Sequence, residues 1–151
     1  MNSGPAFCRK SLLLLFVASI LIAPMLAAGC GSNTPGGAVN KYFSAWQSGD
    51  WESFKAAVVH QDLTKEQEAL AKQKFEQTKV KFEGTKMTTE YNQKDKNKAR
   101  VMVTDGTVTY TAKILGKPET ETREFKKLEK EQRTYDIVKV NGVWYVDTKL
   151  G

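Results

Sequence analysis

A chain of 151 residues, 40% hydrophobic and 26% charged, has the length of one domain and enough apolar content for a core, which excludes a disordered class. The formal net charge is +6, and without Arg9 and Lys10 near the N-terminus 21 basic residues face 17 acidic ones. That balance is too weak and too interspersed for nucleic acid, and it suits a protein near an anionic membrane surface.

Arg9 and Lys10 form a positive start. Leu12 to Ala28 is apolar apart from Ser19 and is interrupted by Pro24. A membrane span needs about 20 apolar residues, and this run is short, contains a proline near its finish and has no basic cluster after it. It reads as a cleaved signal. A plain secretory signal and an uncleaved anchor are the competing readings.

The sequence Ala27-Ala28-Gly29-Cys30 resembles the lipobox of bacterial lipoproteins. The resemblance implies a cut between Gly29 and Cys30, with a diacylglyceryl group on the Cys30 thiol. Two acyl chains give firm anchoring, whereas one gives only marginal, reversible binding. Cys8 would leave with the signal, so Cys30 would be the one remaining thiol and no internal disulfide is expected. The expected organisation is a signal at 1–29, a lipidated cysteine and flexible tether at 30–37, and a folded domain at 38–151. A tether of seven flexible residues reaches on the order of 15 Å.

Val39, Tyr42, Phe43 and Trp46 lie at i, i+3, i+4 and i+7, one apolar face of a helix that Gly49 ends. Asp50 suits an N-cap for a second helix with Trp51, Phe54 and Val58 on one face. Thr64 to Gln67 reads as a capping box opening a third, mostly polar helix to about Thr78, with Leu70 and Phe75 as a weak inner face.

From Lys79 the period changes to two. Val80 and Phe82 alternate with charged residues, and after Gly84 the alternation shifts parity to Met87, Thr89 and Tyr91, which predicts a bulge near Gly84. Ala99, Val101 and Val103 alternate, as do Val108, Tyr110, Ala112 and Ile114. The parity change at Asp105-Gly106 is either a two-residue hairpin or a bulge in one long strand. Glu119 to Thr134 reads as a long solvated strand, with a helix as the alternative. Asn141-Gly142 predicts a type I′ hairpin, pairing Val140 with Val143 and Val138 with Tyr145 on one face, with Ile137, Trp144 and Val146 on the other. Both faces are apolar, so one must meet helices and the other a pocket, a partner or lysine stems. Three helices followed by antiparallel strands argue for an α+β fold, helices packed on a curved antiparallel sheet.

The stretch AVNKYFSAWQSGDWESFKAAV at Ala38 to Val58, with VNGVWYVDTKLG at the end, resembles the N-terminal domain of methicillin-resistance-type penicillin-binding proteins. That resemblance implies the cone-shaped fold named after nuclear transport factor two, and a role linked to cell-wall synthesis or antibiotic response. No serine after Cys30 has lysine three positions on, so transpeptidase chemistry is not carried over.

His60 is the single histidine and lies in a turn without an accompanying nucleophile. No catalytic residue, metal or cofactor is expected. Tyr42, Trp46, Trp51, Tyr110 and Trp144 are the candidates for a pocket or interface, although aromatics at helical and strand spacing are most often core. The leading expectation is therefore a non-catalytic binding or scaffolding module of the cell envelope. It would be held on the extracytoplasmic face of the membrane and meet an envelope protein or a cell-wall polymer. The alternatives are a small-ligand carrier or enzyme using a pocket between sheet and helices, and a homodimer through the exposed sheet face.

Overall fold

Thr34 opens the fold, four residues earlier than the sequence pattern suggests. In the computed structural model, which describes residues 33–114 and 116–150, the first helix (α1) runs from Pro35 to Ser48. The Thr34 hydroxyl accepts from the Gly37 N–H at 3.0 Å, and Pro35 takes the first helical position, where its missing N–H costs nothing. Pro35, Gly36 and Gly37 therefore belong to the domain and not to a tether. The expected flexible stretch 30–37 is corrected on this point, because a capped Pro-Gly-Gly can open a helix when Ala38, Val39 and Tyr42 bury behind it. The expected lipidation site Cys30 and the expected signal 1–29 lie outside the described residues.

Gly49, at φ +70°, ends α1 in the left-handed region, and Asp50 then caps the second helix (α2, Trp51–Ala57) through the Ser53 N–H at 3.2 Å. The third helix (α3, Lys65–Gln77) carries the expected capping box: Gln67 N–H donates to the Thr64 hydroxyl at 3.3 Å and Thr64 N–H to Gln67 Oε1 at 2.9 Å. Its buried residues are Ala71 and Phe75. Leu70, expected inside, is 52% exposed, because Ala71 with Phe75 (i, i+4) takes the inner stripe.

Five strands follow: β1 (Thr78–Tyr91), β2 (Lys98–Ile114), β3 (Lys117–Glu124), β4 (Thr134–Val140) and β5 (Val143–Val146). All named strand pairs are antiparallel. β2 is the spine. β1 covers one edge along nearly its whole length, while the other edge takes β4 at 98–102 and β3 at 107–114. β5 pairs with β4, and a parallel bridge from Val58 to Val146 lays the chain after α2 beside β5. The sheet curls as an antiparallel half-barrel around the helices. No described helix is long and apolar enough to cross a membrane.

Asp105-Gly106 is a bulge within one long strand and not a hairpin. The register steps from Glu83↔Thr107 to Lys86↔Asp105, so Gly84 and Thr85 oppose Gly106 and both strands change parity together. Val80, Val101, Val103 and Val108 consequently all face inward and are buried. The polar groups freed at the bulge find partners: Gly106 N–H donates to Asp105 Oδ1 at 2.9 Å, and the Thr104 hydroxyl to the Lys86 carbonyl at 3.2 Å.

The expected strand at Glu119–Thr134 is correct only to Glu124. Two short 3₁₀ turns, Phe125–Lys127 and Glu131–Arg133, replace the rest. Phe125 turns inward and is almost fully buried, and Arg133 donates to the Val103 carbonyl at 3.3 Å. Together they occupy the gap between β3 and β4 on the edge of β2 away from β1.

A Cβ at Gly106 would lie 2.7 Å from the Glu83 carbonyl oxygen and 2.8 Å from Thr85 Cα, at a φ of +104°. Gly84 (φ +61°) has open space instead. Gly106→Ala is expected to cost more than 3 kcal/mol or to prevent folding, since strain and backbone clash add, while Gly84→Ala should cost about 1–2 kcal/mol. Urea unfolding midpoints of the two variants check this, and equal losses would refute the paired-bulge account.

Candidate functional site

The aromatic residues singled out in the sequence divide into two places. Tyr42 and Trp46 project from α1, and Trp51 opens α2. They join a continuous ring cluster. Phe43 stacks on Phe82 at 3.9 Å and 5°, Tyr42 meets Phe54 at 4.9 Å, Trp46 meets Phe54 at 5.5 Å, and Phe54 meets Phe75 at 4.6 Å. Trp51 contacts Phe75 at 5.6 Å. This cluster ties all three helices to β1, and its ring geometries are the tilted, edge-on and stacked arrangements that add to area burial. Tyr110 approaches it from β2. Trp144 does not take part: it packs edge-on against Tyr91 at 6.2 Å, with Lys139 Nζ 5.5 Å from its ring centre.

A third tyrosine, Tyr135 on β4, joins Tyr42 and Tyr110. Its ring lies 6.2 Å from Tyr42 and 5.3 Å from Phe43. Burial pushes the Tyr42 phenol up to about 12, with Tyr110 adding to it. Burial also raises the Tyr135 phenol well above the ordinary range, with Tyr42 and Tyr110 contributing, and raises Tyr110 itself. These phenols stay protonated at neutral pH. They can donate or accept a hydrogen bond but cannot serve as bases. No charged side chain is buried among the described residues. The inner face thus offers apolar surface and neutral hydroxyls.

A cleft of 740 Å³ opens elsewhere, lined by residues of α2 and α3, the Val58–Leu63 connection and the β4–β5 hairpin. Lys55 bridges Glu68 at 2.6 Å and Glu52 at 3.2 Å there, joining α2 to α3. The Lys55 hydrogen bond holds the Glu68 carboxyl below its usual range, and the Trp51 indole N–H, turned toward Glu68 but beyond good hydrogen-bond geometry, adds a weaker pull. His60 contacts Asp62 at 3.5 Å, and both side chains are almost fully exposed, so this surface pair contributes little to the fold.

Two side-chain amides that the sequence does not single out fix the ends of the domain. Asn33 donates to the Gly142 carbonyl at 2.6 Å and accepts from the Trp144 N–H at 3.3 Å. Gln61 donates to the Thr148 carbonyl at 2.6 Å and accepts from the Leu150 N–H at 3.1 Å. Each side chain reaches backbone more than 85 positions away. Neither lies in a periodic segment, so single-sequence patterning carries no signal for it.

A phenol that keeps its proton longer in the folded state than in the unfolded one stabilises the fold fully below the unfolded value. That stabilisation is lost as pH rises through the folded value. Alkaline unfolding should therefore draw on Tyr42 between about pH 10, the ordinary phenol value, and about 12. Tyr42→Phe is expected to flatten the fall in stability across that window by on the order of 1–3 kcal/mol. Urea midpoints measured against pH check it, and an unchanged slope would refute it.

No protein-family model matches the chain, and no curated protein matches it. Among solved structures the chain is similar to the intermembrane space region of the chloroplast protein ARC6, with 10% identity and a TM-score of 0.49 over 74% of this chain and 88% of that one.

Proposed function

We propose that the chain is a lipid-anchored protein of the extracytoplasmic membrane face, a non-catalytic binding or scaffolding module of the cell envelope. One observation carries this reading. The lipobox-like Ala27-Ala28-Gly29-Cys30 stands directly before the fold, with only Gly31 and Ser32 between Cys30 and the pinned Asn33. An acyl group on Cys30 would hold the domain against the bilayer, because three residues span at most about 10 Å.

The half-barrel around three helices is compatible with the cone of the transport-factor-two superfamily, the fold implied by the resemblance to penicillin-binding N-terminal domains. On that reading the domain is an accessory of wall synthesis or of the response to antibiotics. The neutral phenols of Tyr42, Tyr110 and Tyr135 on the inner face suit hydrogen bonding to a bound group.

Cys30→Ser is expected to abolish incorporation of a radiolabelled or alkyne fatty acid and to release the protein from membranes. A wild-type chain that stays membrane-bound without acyl label would contradict the anchor.

A further inference from the structure

Two of the sheet's three hairpins, β1–β2 and β4–β5, turn at the end where α1 begins. The start of β2 pairs with the end of β4 (Lys98↔Val138), so the Asn92–Asn97 connection and the Asn141-Gly142 turn project from one end of the sheet. Lys139 N–H donates to the Asn97 carbonyl at 2.8 Å and holds the two side by side. Asn33 clasps the second turn through Gly142 and Trp144.

This end carries an unusual surface. Among the described residues the exposed large hydrophobics are Leu70, Tyr91, Val140 and Val143, and the last three all lie at this end. Tyr91 is 56% exposed on the Trp144 face of the sheet, and the directly paired Val140 and Val143, which project from the opposite face at the same tip, are 40% and 39% exposed. Lys94 and Lys96 lie in the Asn92–Asn97 connection, on either side of Asp95, and Lys139 precedes Val140; none of the three lysines takes part in the ion pairs found among the described residues. Other exposed basic residues of the sheet sit beside acids, as in Lys81–Glu83, Arg100–Asp136 and Arg123–Glu121, and at this end Lys98 pairs with Asp95.

We propose that this end is a bilayer-contact face. Val140, Val143 and Tyr91 would dip into the interface of an anionic phospholipid surface, and Lys94, Lys96 and Lys139 would meet its headgroups. The inference rests on the acylated Cys30 proposed above and deepens it. The covalent reach selects the occupant. With Asn33 fixed against Gly142, an anchor on Cys30 lies at most about 10 Å along the chain from Asn33, so the turn that carries the valine pair is tied to the bilayer, a link that no protein partner shares. The chemistry agrees: aromatic rings settle at the headgroup level, apolar side chains gain by leaving water, and each lysine near an anionic surface adds about 1 kcal/mol.

The test uses the full chain, lipidated in cells and reconstituted into vesicles of phosphatidylglycerol and phosphatidylcholine. A fluorophore is placed at Val143→Cys, at Val140→Cys as a second site, and at Leu70→Cys on α3 as the control. Fatty-acid labelling and vesicle flotation are measured on the same samples. The proposal expects the probes at 143 and 140 to be quenched several-fold more by a lipid-borne nitroxide than the probe at 70, and to be shielded from aqueous iodide. Equal quenching at all three sites in an acylated, floating protein overturns this face and leaves the anchor standing. Shielding from iodide without lipid quenching points to a second copy of the chain and also overturns it. A protein without acyl label that does not float overturns both readings.

Discussion

The structure depends on one backbone constraint, the paired bulge at Gly84 and Gly106. A strand alternates its side chains, so an uninterrupted β2 would place Val103 and Val108 on opposite faces. The extra residues in β1 and β2 sit opposite each other, and both strands flip parity together. The result is one continuous inner face on a sheet that bends. The close approach of Glu83 and Thr85 leaves no room for a side chain at Gly106. Asp105 and Lys86, 3.5 Å apart, brace the corner from outside, and the Gly106 N–H, with Lys86, holds the Asp105 carboxyl below its usual range.

The bend decides what each edge of β2 can do. Past the bulge the strand pairs with β3, and before it with β4, and the opening between them is filled by Phe125. Phe125 extends the ring cluster of Phe43 and Phe82, with centroids 6.3 and 6.4 Å away. Helices, sheet and connecting turns are thereby joined through aromatic contact. The same geometry gathers the β1–β2 and β4–β5 hairpin tips and the start of α1 at one end, the end that leads toward the proposed acylation site.

Much of this was legible in sequence, and the reasons are local. Asp50, Thr64 with Gln67, and Asn141-Gly142 act within four residues of themselves, and the structure has each where the pattern puts it: Asn141 and Gly142 both adopt positive φ, at 49° and 84°. The parity changes pointed to Gly84 and to Asp105-Gly106, but choosing bulge over hairpin at the second required knowing that β1 runs alongside, a long-range fact. The 3₁₀ turns after Glu124 were hidden because FKKLEKEQR has neither helical nor strand period, and its shape is set by Phe125 filling a gap made by other strands. Of the five aromatic candidates for a pocket or interface, Tyr42, Trp51 and Trp144 are buried and Trp46 and Tyr110 partly buried, and the separation of Trp144 from the rest comes from its cross-strand pairing with Lys139 and its contact with Tyr91. The early start of α1 was missed because Pro-Gly-Gly has poor helix propensity, which the Thr34 cap and burial of the next turn override.

Nuclear Overhauser contacts on isotopically labelled protein test the paired bulge most directly. The account predicts that the Val103 and Val108 methyls both meet inward-facing protons of the helices and of Phe125, and that Gly106 lies against Thr85. Val103 and Val108 pointing to opposite sides of the sheet, with Gly106 away from Thr85, would contradict it.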